Sequence, residues 1–332
     1  MQYIPTNWDI PYFNMALEEH IVGNPEFTDN YFFFYVHAPS IIVGRFQNTV
    51  EEINADYVRD HHIYVARRIT GGGAVYHDGG NLNFSFIVNA EGHGGGFETY
   101  TRPVIAAIRA LGAEATLSGR NDILVDGKKI SGNAQCVRSG KLLQHGTILF
   151  DSNLDDLVRA LSVNDMKIIS KGIKSVRSRV TNLKEHLPEG ITIDILRARI
   201  LAEIAEEYGM QTFTLTDEDI AAVSQLAAQK FAKREWNYGR SPAYSFCNKK
   251  KYDYGLVEAR LDIRGGTIRD MVIYGDFFAK GDLNEFTALF ADAPYSRESL
   301  AGILKKNHPG EYITGMAMDD FIELVYVEQP MG

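Results

Sequence analysis

Arg67-Arg68-Ile69-Thr70-Gly71-Gly72-Gly73-Ala74-Val75-Tyr76-His77-Asp78 is the stretch on which the reading of this chain turns. Two arginines lead into three consecutive glycines, and after Asp78-Gly79-Gly80-Asn81 an apolar tract runs from Leu82 to Val88. Glycines in a row lose much conformational freedom on folding and bury no side chain. Such a run suits a place where something must come close to the backbone, and N–H groups beside guanidinium groups suit a phosphate. The spacing matches neither the G-x-x-x-x-G-K-[ST] phosphate loop nor a G-x-G-x-x-G opening a helix. A glycine-rich hairpin turn would use the same residues with no ligand. The leading arginines favour the anion site.

Outward from this run, Ile63 to Ala66 predicts a strand that delivers the arginines and glycines to one sheet edge. Upstream, Asn14 to Val22 has helical spacing, and Tyr31 to Val36 and Ile41 to Val43 read as neighbouring strands joined through Pro39-Ser40. Thr49 and Glu52 form a candidate capping box for a helix to about Arg59. Downstream, Thr99 to Leu111 predicts a helix that stops at Gly112. Asp126-Gly127 and Ser139-Gly140 predict two hairpin turns, and Thr147 to Phe150 closes that strand group. Leu154 to Leu161, Ile193 to Tyr208 and Asp217 to Ala232 predict further helices. The expected fold is α+β (α/β), a mixed sheet with helices on its faces.

A boundary is expected across Trp236 to Lys251, a Pro-, Gly- and Lys-containing stretch. After it, Leu256 to Ile263 alternates, turns at Gly265-Gly266, returns as Ile268 to Tyr274, and is followed by helical stretches from Leu283, Ser299 and Asp319. The division is residues 1–245 and 246–332, a large domain and a small one.

The 332 residues suffice for a large core and a second domain, and the net charge of −9 argues against a general nucleic-acid binder. No apolar run approaches a membrane span, and the N-terminus lacks a basic flank and an apolar signal core, so the cytoplasm is the default location. Cys136 and Cys247 give neither a disulfide framework nor metal-ligand spacing. An anionic ligand must then be held by local basic clusters. Two are present, Arg67-Arg68 and Lys167 to Arg179.

Lys129 follows the Asp126-Gly127 turn in Gly127-Lys128-Lys129-Ile130-Ser131-Gly132-Asn133-Ala134. A lysine there can simply solvate an edge strand. If Ile130 enters the core, however, Lys129 faces the opposite way, toward a cleft that the small downstream residues leave open. Asp122, in Gly119-Arg120-Asn121-Asp122, is either a turn former or a single-carboxylate Mg²⁺ ligand. Lys171 to Arg179 places four cations in nine positions, interleaved with Gly172, Ser175 and Ser178. It reads as a solvated face or as a mobile loop that closes on an anion. Neither cysteine sits in a motif that would lower its pKa.

Together these segments resemble the lipoate–protein ligase A family in its bacterial two-domain form. Asn14-Met15-Ala16-Leu17-Glu18-Glu19, Ile42-Val43-Gly44-Arg45-Phe46-Gln47-Asn48, Arg67 to Asp78, Gly119 to Asp122, Lys129-Ile130-Ser131-Gly132, His145-Gly146-Thr147 and Lys171 to Asn182 occur in family order. Trp236-Asn237-Tyr238-Gly239 and the final domain extend the resemblance over nearly the whole chain.

The resemblance implies a biotin/lipoyl-ligase-like catalytic domain and a small C-terminal α+β accessory domain. It implies that lipoate attacks the α-phosphate of ATP, with Mg²⁺, giving lipoyl-AMP and pyrophosphate. A lysine of a lipoyl domain then takes the lipoyl group and releases AMP. Acceptors would be the E2 lipoyl domains of 2-oxoacid dehydrogenases and the glycine-cleavage H protein, and the enzyme would be a monomer. By motif, Arg68 and Gly73, Ala74, Val75 and Tyr76 would hold the nucleotide, with Arg67, Asp122 and Lys171 contributing. Lys129 would bridge the lipoate carboxylate and the α-phosphate. Glu18, Tyr35 and His145 would line the acyl site, with Gly71 and Gly72 beside it. Asp122 is also the candidate for the acceptor lysine's proton. Two other readings remain. One is an octanoyl or lipoyl transferase working through a cysteine thioester. Leu142 stands where the octanoyltransferase branch has its cysteine, which leaves Cys136 for that role. The other is a non-catalytic lipoyl-domain binder.

Overall fold

The computed structural model describes residues 1–91, 96–119, 121–161, 178–238 and 246–326. They form two compact units. The first comprises Met1–Val43, Thr49–Ile69 and Ala74–Asn237, and the second Gly44–Asn48, Thr70–Gly73 and Tyr238–Gly332.

The first unit is built on an eight-stranded mixed sheet. In chain order its strands are β1 (Gln2–Tyr3), β2 (Tyr31–Tyr35), β6 (Asn81–Asn89), β7 (Ala115–Ser118), β8 (Asp122–Val125), β9 (Lys128–Arg138), β10 (Lys141–Leu149) and β11 (Gln211–Thr212). They are arranged β11-β1-β2-β6-β10-β9-β8-β7. A separate three-stranded sheet holds β3 (Ser40–Val43) between β4 (Tyr64–Arg67) and β5 (Val75–His77). Both sequence-predicted hairpin turns form. Asp126 and Gly127 have φ of 51° and 75°, Ser139 and Gly140 of 52° and 74°, the left-handed pair that a two-residue turn requires.

Alternation gives the large sheet two different faces. On one, Phe32, Phe34, Phe84, Phe86, Leu142 and Ile148 join Val104 and Ile108 of a helix at Glu98–Ala110 and Leu196, Ile200 and Ile204 of a helix at Ile193–Tyr208. On the other, Phe33, Ile87 and Leu143 pack with Met15, Leu17 and Ile21 of α1 (Pro11–Gly23).

Four expectations need correction. Strands β2 and β3 are not neighbours: after Pro39 the chain leaves the large sheet and Ser40 pairs with Tyr64 and His77 instead. The helix expected from Thr49 to Arg59 is two short ones, Thr49–Glu52 and Ala55–Asp60. Asn54 caps the second by accepting from Tyr57 N, while the Thr49 hydroxyl donates to Asn237 O at 2.5 Å. The helix from Asp217 ends at Leu226 and continues as a π-turn over Ala227–Phe231. Finally, Phe246–Tyr252 is a strand, β12, rather than linker. Three consecutive lysines, Lys249 to Lys251, occupy this edge strand and hide the period of the apolar pattern.

In the second unit β12 pairs with β13 (Gly255–Arg264), which pairs with β14 (Thr267–Gly275). Val257, Ala259 and Leu261 close on Phe286, Phe321 and Leu324. Two short segments from far upstream belong to this unit. Phe46 stacks on Phe277 with ring centres 5.3 Å apart, and Gly72 N donates to Phe277 O at 3.1 Å. A Cβ on Gly71 would overlap that same carbonyl.

Candidate active site

Lys129 reaches its position because β9 carries a bulge. Leu124 pairs with Lys129 but Ile123 pairs with Ser131, so Ile130 is an extra residue in the ladder. Ile130 and Ser131 are both buried, and Ile130 joins the apolar core. Simple alternation would set Lys129 and Gly132 on opposite faces; the bulge sets them on the same one. Lys129 Nζ and Cε accordingly lie over Gly132, 3.1 and 3.2 Å from where a Cβ would stand, so a side chain there would press on the lysine. Asp122, across the ladder from Gly132, pairs with Lys129 Nζ at 2.7 Å. These side chains are 39% and 34% exposed, so the pair is open to a ligand. The backbone of Lys129 is also engaged, its carbonyl accepting from Thr181 N at 3.1 Å.

On that face the register continues through Ala134 to His145 on β10 and Ser85 on β6. There Glu18, wholly buried, descends from α1. Its Oε1 accepts from the Tyr35 hydroxyl at 3.2 Å and from the Ser85 hydroxyl, and lies 2.9 Å from His145 Nδ1. Burial and the Glu18 charge hold the Tyr35 phenol well above its ordinary pKa, so it stays a donor. A strip of small residues (Gly132, Ala134, Ser85) thus separates the Lys129–Asp122 pair from the Glu18 cluster. With strands about 4.8 Å apart and a rise of about 3.4 Å per residue, Gly132 and Ser85 are roughly 12 Å apart.

Arg68 is buried too, with Nη1 donating to Ile42 O at 2.9 Å. Burial lowers its pKa to about 10, and the charges of Tyr35 and Glu18 work against that shift. Arg67, on the edge strand, turns elsewhere. Its Nε donates to Trp236 O at 2.9 Å and its Nη2 to Thr49 Oγ1 at 2.6 Å and Asn237 O at 3.0 Å. Its guanidinium therefore ties the end of the first unit to β4. Beside Arg68 a second buried pair appears, His37 and His77, with their Nδ1 atoms 3.0 Å apart. Burial drives the His37 pKa down to about 3. It drives that of His77 well below its ordinary value, helped by His37, Arg68 and His145.

Of the residues singled out in the sequence, Glu18, Tyr35 and His145 are brought into contact and Asp122 onto Lys129. Val75 and Tyr76 lie in β5, with Ala74 just before it, and burial raises the Tyr76 pKa. Gly71 and Gly72 meet the Phe277 carbonyl, whereas Gly73 is exposed with open space at its Cβ position. Lys171 lies outside the described residues. Among those described, no group of three or more His, Cys, Asp or Glu could hold a metal ion, and no helix is long and apolar enough to cross a membrane. Sequence reasoning missed Ser85, Asn237 and the histidine pair. Ser85 had a signal: Asn81, Asn83 and Ser85 alternate with Leu82, Phe84 and Phe86, a polar row inside a tract that reads as apolar.

A buried acceptor cluster and a paired lysine on the large sheet, with a buried arginine just past β4 of the smaller one, suit a ligand with an acidic group. Comparison gives the family. Residues 10–205 match the model of the lipoyl protein ligase A/B catalytic domain, and residues 241–325 that of the bacterial lipoate protein ligase C-terminus. The chain is 44% identical over 324 residues to lipoate-protein ligase LplJ of Bacillus subtilis, covering 96% of this chain and 98% of that one. Among solved structures, an archaeal bi-partite lipoate protein ligase from Thermoplasma acidophilum, studied with its E2 lipoyl domain, is 30% identical. It covers 74% of this chain and 98% of its own, with a TM-score of 0.65. A lipoate-protein ligase A bound with ATP is 29% identical, and the match covers 72% of this chain and 98% of that one, with a TM-score of 0.62. The chain belongs to the lipoate–protein ligase family.

Proposed function

We propose that this protein is an ATP-dependent lipoate–protein ligase that makes lipoyl-AMP and passes the lipoyl group to a lysine of a lipoyl domain. The observation that carries the reading is the strip between Lys129 and Glu18, whose length of roughly 12 Å suits an extended eight-carbon acid. Its relatives' names and the ATP-bound neighbour support the same chemistry. Residues 1–245 would be the catalytic domain and 246–332 the accessory one.

In the first step a carboxylate oxygen attacks the α-phosphate and pyrophosphate leaves. Both reactants are anions, so catalysis needs fixed positive charge where they meet. Lys129 Nζ supplies it, exchanging its bond to Asp122 for the lipoate carboxylate and the α-phosphate, one compact charge serving both. Arg68 and the backbone of Gly73, Ala74, Val75 and Tyr76 hold the nucleotide. Arg67 supports them from behind by fixing β4. One carboxylate oxygen of Asp122 suits the Mg²⁺ that accompanies ATP, an ion that usually takes one or two carboxylates and phosphate oxygens. Lys171, outside the described residues, is the further cation that the family pattern assigns to the adenylate. Glu18, Tyr35 and His145 close the far end of the acyl site.

In the second step the acceptor amine attacks the anhydride and AMP leaves. E2 lipoyl domains and the glycine-cleavage H protein are the proposed acceptors, and Asp122 the proposed base. A cysteine relay has no support from the chemistry, because an acyl-AMP is already activated. Mass spectrometry of a purified lipoyl domain after incubation with the protein, ATP, Mg²⁺ and lipoate tests the proposal. A lipoyl mass shift that vanishes without ATP is expected; if free lipoate gives no shift with ATP but a lipoyl- or octanoyl-thioester donor gives one without it, the transferase reading wins instead.

A further inference from the structure

Glu18 is the most unevenly satisfied buried group in the site. Three groups converge on its Oε1: the Tyr35 and Ser85 hydroxyls and His145 Nδ1. Its Oε2, equally buried, has no hydrogen-bond partner among the described residues. A buried carboxylate oxygen left without a donor is costly, on the order of 1–3 kcal/mol or more. The side chain cannot relieve this by turning, because Tyr35, Ser85 and His145 hold it from three strands, β2, β6 and β10. The remaining oxygen is thus an acceptor fixed at the end of the small-residue strip, opposite Lys129.

From this we infer that the far end of the acyl site is built for an acid whose tip carries a hydrogen-bond donor, namely the open dithiol form of lipoate, dihydrolipoate. The inference rests on the ligase reading above and deepens it. The closed dithiolane of lipoate and the methyl end of octanoate offer Oε2 nothing, so both leave it unpaired. Each thiol of the open form carries an S–H that can donate to it, and both sulfurs lie at the end of the chain that the strip would hold. No redox step is involved. The acid binds as the dithiol, and its carboxylate is adenylated at Lys129 with release of pyrophosphate.

The donor can be tested apart from sulfur chemistry, because 8-hydroxyoctanoate and octanoate differ only in an O–H at the tip. ATP–pyrophosphate exchange would be measured under anaerobic, reducing conditions for those two acids and for dihydrolipoate, and without reductant for lipoate. The expected result is a kcat/KM for 8-hydroxyoctanoate on the order of tenfold above octanoate, and for dihydrolipoate severalfold above lipoate. Glu18→Gln supplies the second arm. The Tyr35 and Ser85 hydroxyls that donate to Oε1 favour the amide oxygen in that position, which leaves the amide NH₂ where Oε2 was. The preference should then vanish or reverse. Equal kcat/KM for the hydroxylated and plain acids in the unmodified enzyme would overturn the inference, whatever the variant does. An unchanged preference in folded Glu18→Gln would overturn it as well. If none of the four acids supports exchange at all, the ligase reading itself fails, a distinct outcome.

Discussion

The two faces of the large sheet are made by alternate residues of the same strands, yet they do different work. Toward the helices at Glu98–Ala110 and Ile193–Tyr208, β2, β6 and β10 present Phe32, Phe34, Phe84, Phe86 and Ile148, all in one apolar cluster. Toward α1 the same strands present Tyr35, Ser85 and His145 around a buried glutamate, beyond a more ordinary apolar patch of Phe33, Ile87 and Leu143. Hydrophobic burial on the first face holds the sheet against its helices. That stability lets the second face keep buried polar groups, which by themselves oppose folding unless each is paired. Stability and chemistry are thus separated by a single residue step along each strand.

A double dissociation would break this comparison or confirm it. Phe84→Ala, on the apolar face, should lower the unfolding free energy by about 3–5 kcal/mol. Activity per folded molecule should change little. Urea titration and active-site-normalised exchange assays would show both. Lys129→Ala should do the reverse, losing on the order of 10²–10³ in adenylate formation through removal of a charge at the reacting atoms. Its urea midpoint should stay near that of the parent, since the lysine is not in the core. Lys128→Ala is the companion control and should be nearly silent in both assays. Appreciable exchange by Lys129→Ala would remove that residue from the mechanism.

The histidine pair sharpens the comparison through pH. His37 has a folded pKa of about 3, below the ordinary 6.5, because burial disfavours its charged form. Between those values the unfolded chain binds a proton that the folded one does not. Stability is therefore full above about pH 6.5 and falls as the pH drops toward 3. His77 shifts the same way and adds to the slope. His37→Gln, which keeps a polar side chain but cannot titrate, should flatten the dependence of the urea midpoint on pH over that window. A slope unchanged from the parent's would show that other groups set the acid limit. The smallest effect is expected from the thiols. An enzyme using a mixed anhydride needs no protein nucleophile, so Cys136→Ser with Cys247→Ser should retain most activity. A folded but inactive double variant, or an acyl-thioester trapped on Cys136, would establish the relay.

The sequence by itself determined much of this protein. The alternation in β13, the turn pairs Asp126-Gly127 and Ser139-Gly140, and the helix from Ile193 to Tyr208 all formed where local chemistry placed them, because each is specified by neighbours within a few residues. Lys129 and the acyl-site trio were legible only through the order of motifs along the chain. What tertiary structure decided was the facing of those residues. The bulge at Ile130 cannot be read from Lys128-Lys129-Ile130-Ser131, which alternates acceptably without it, yet it turns Lys129 onto the face of Gly132. The departure of β3 from β2 depends on pairing with β4 and β5, some twenty and more residues downstream. The role of Arg67 depends on Asn237, 170 residues away. Long-range pairing leaves no local trace, because the partner that satisfies a side chain is chosen by packing rather than by sequence distance.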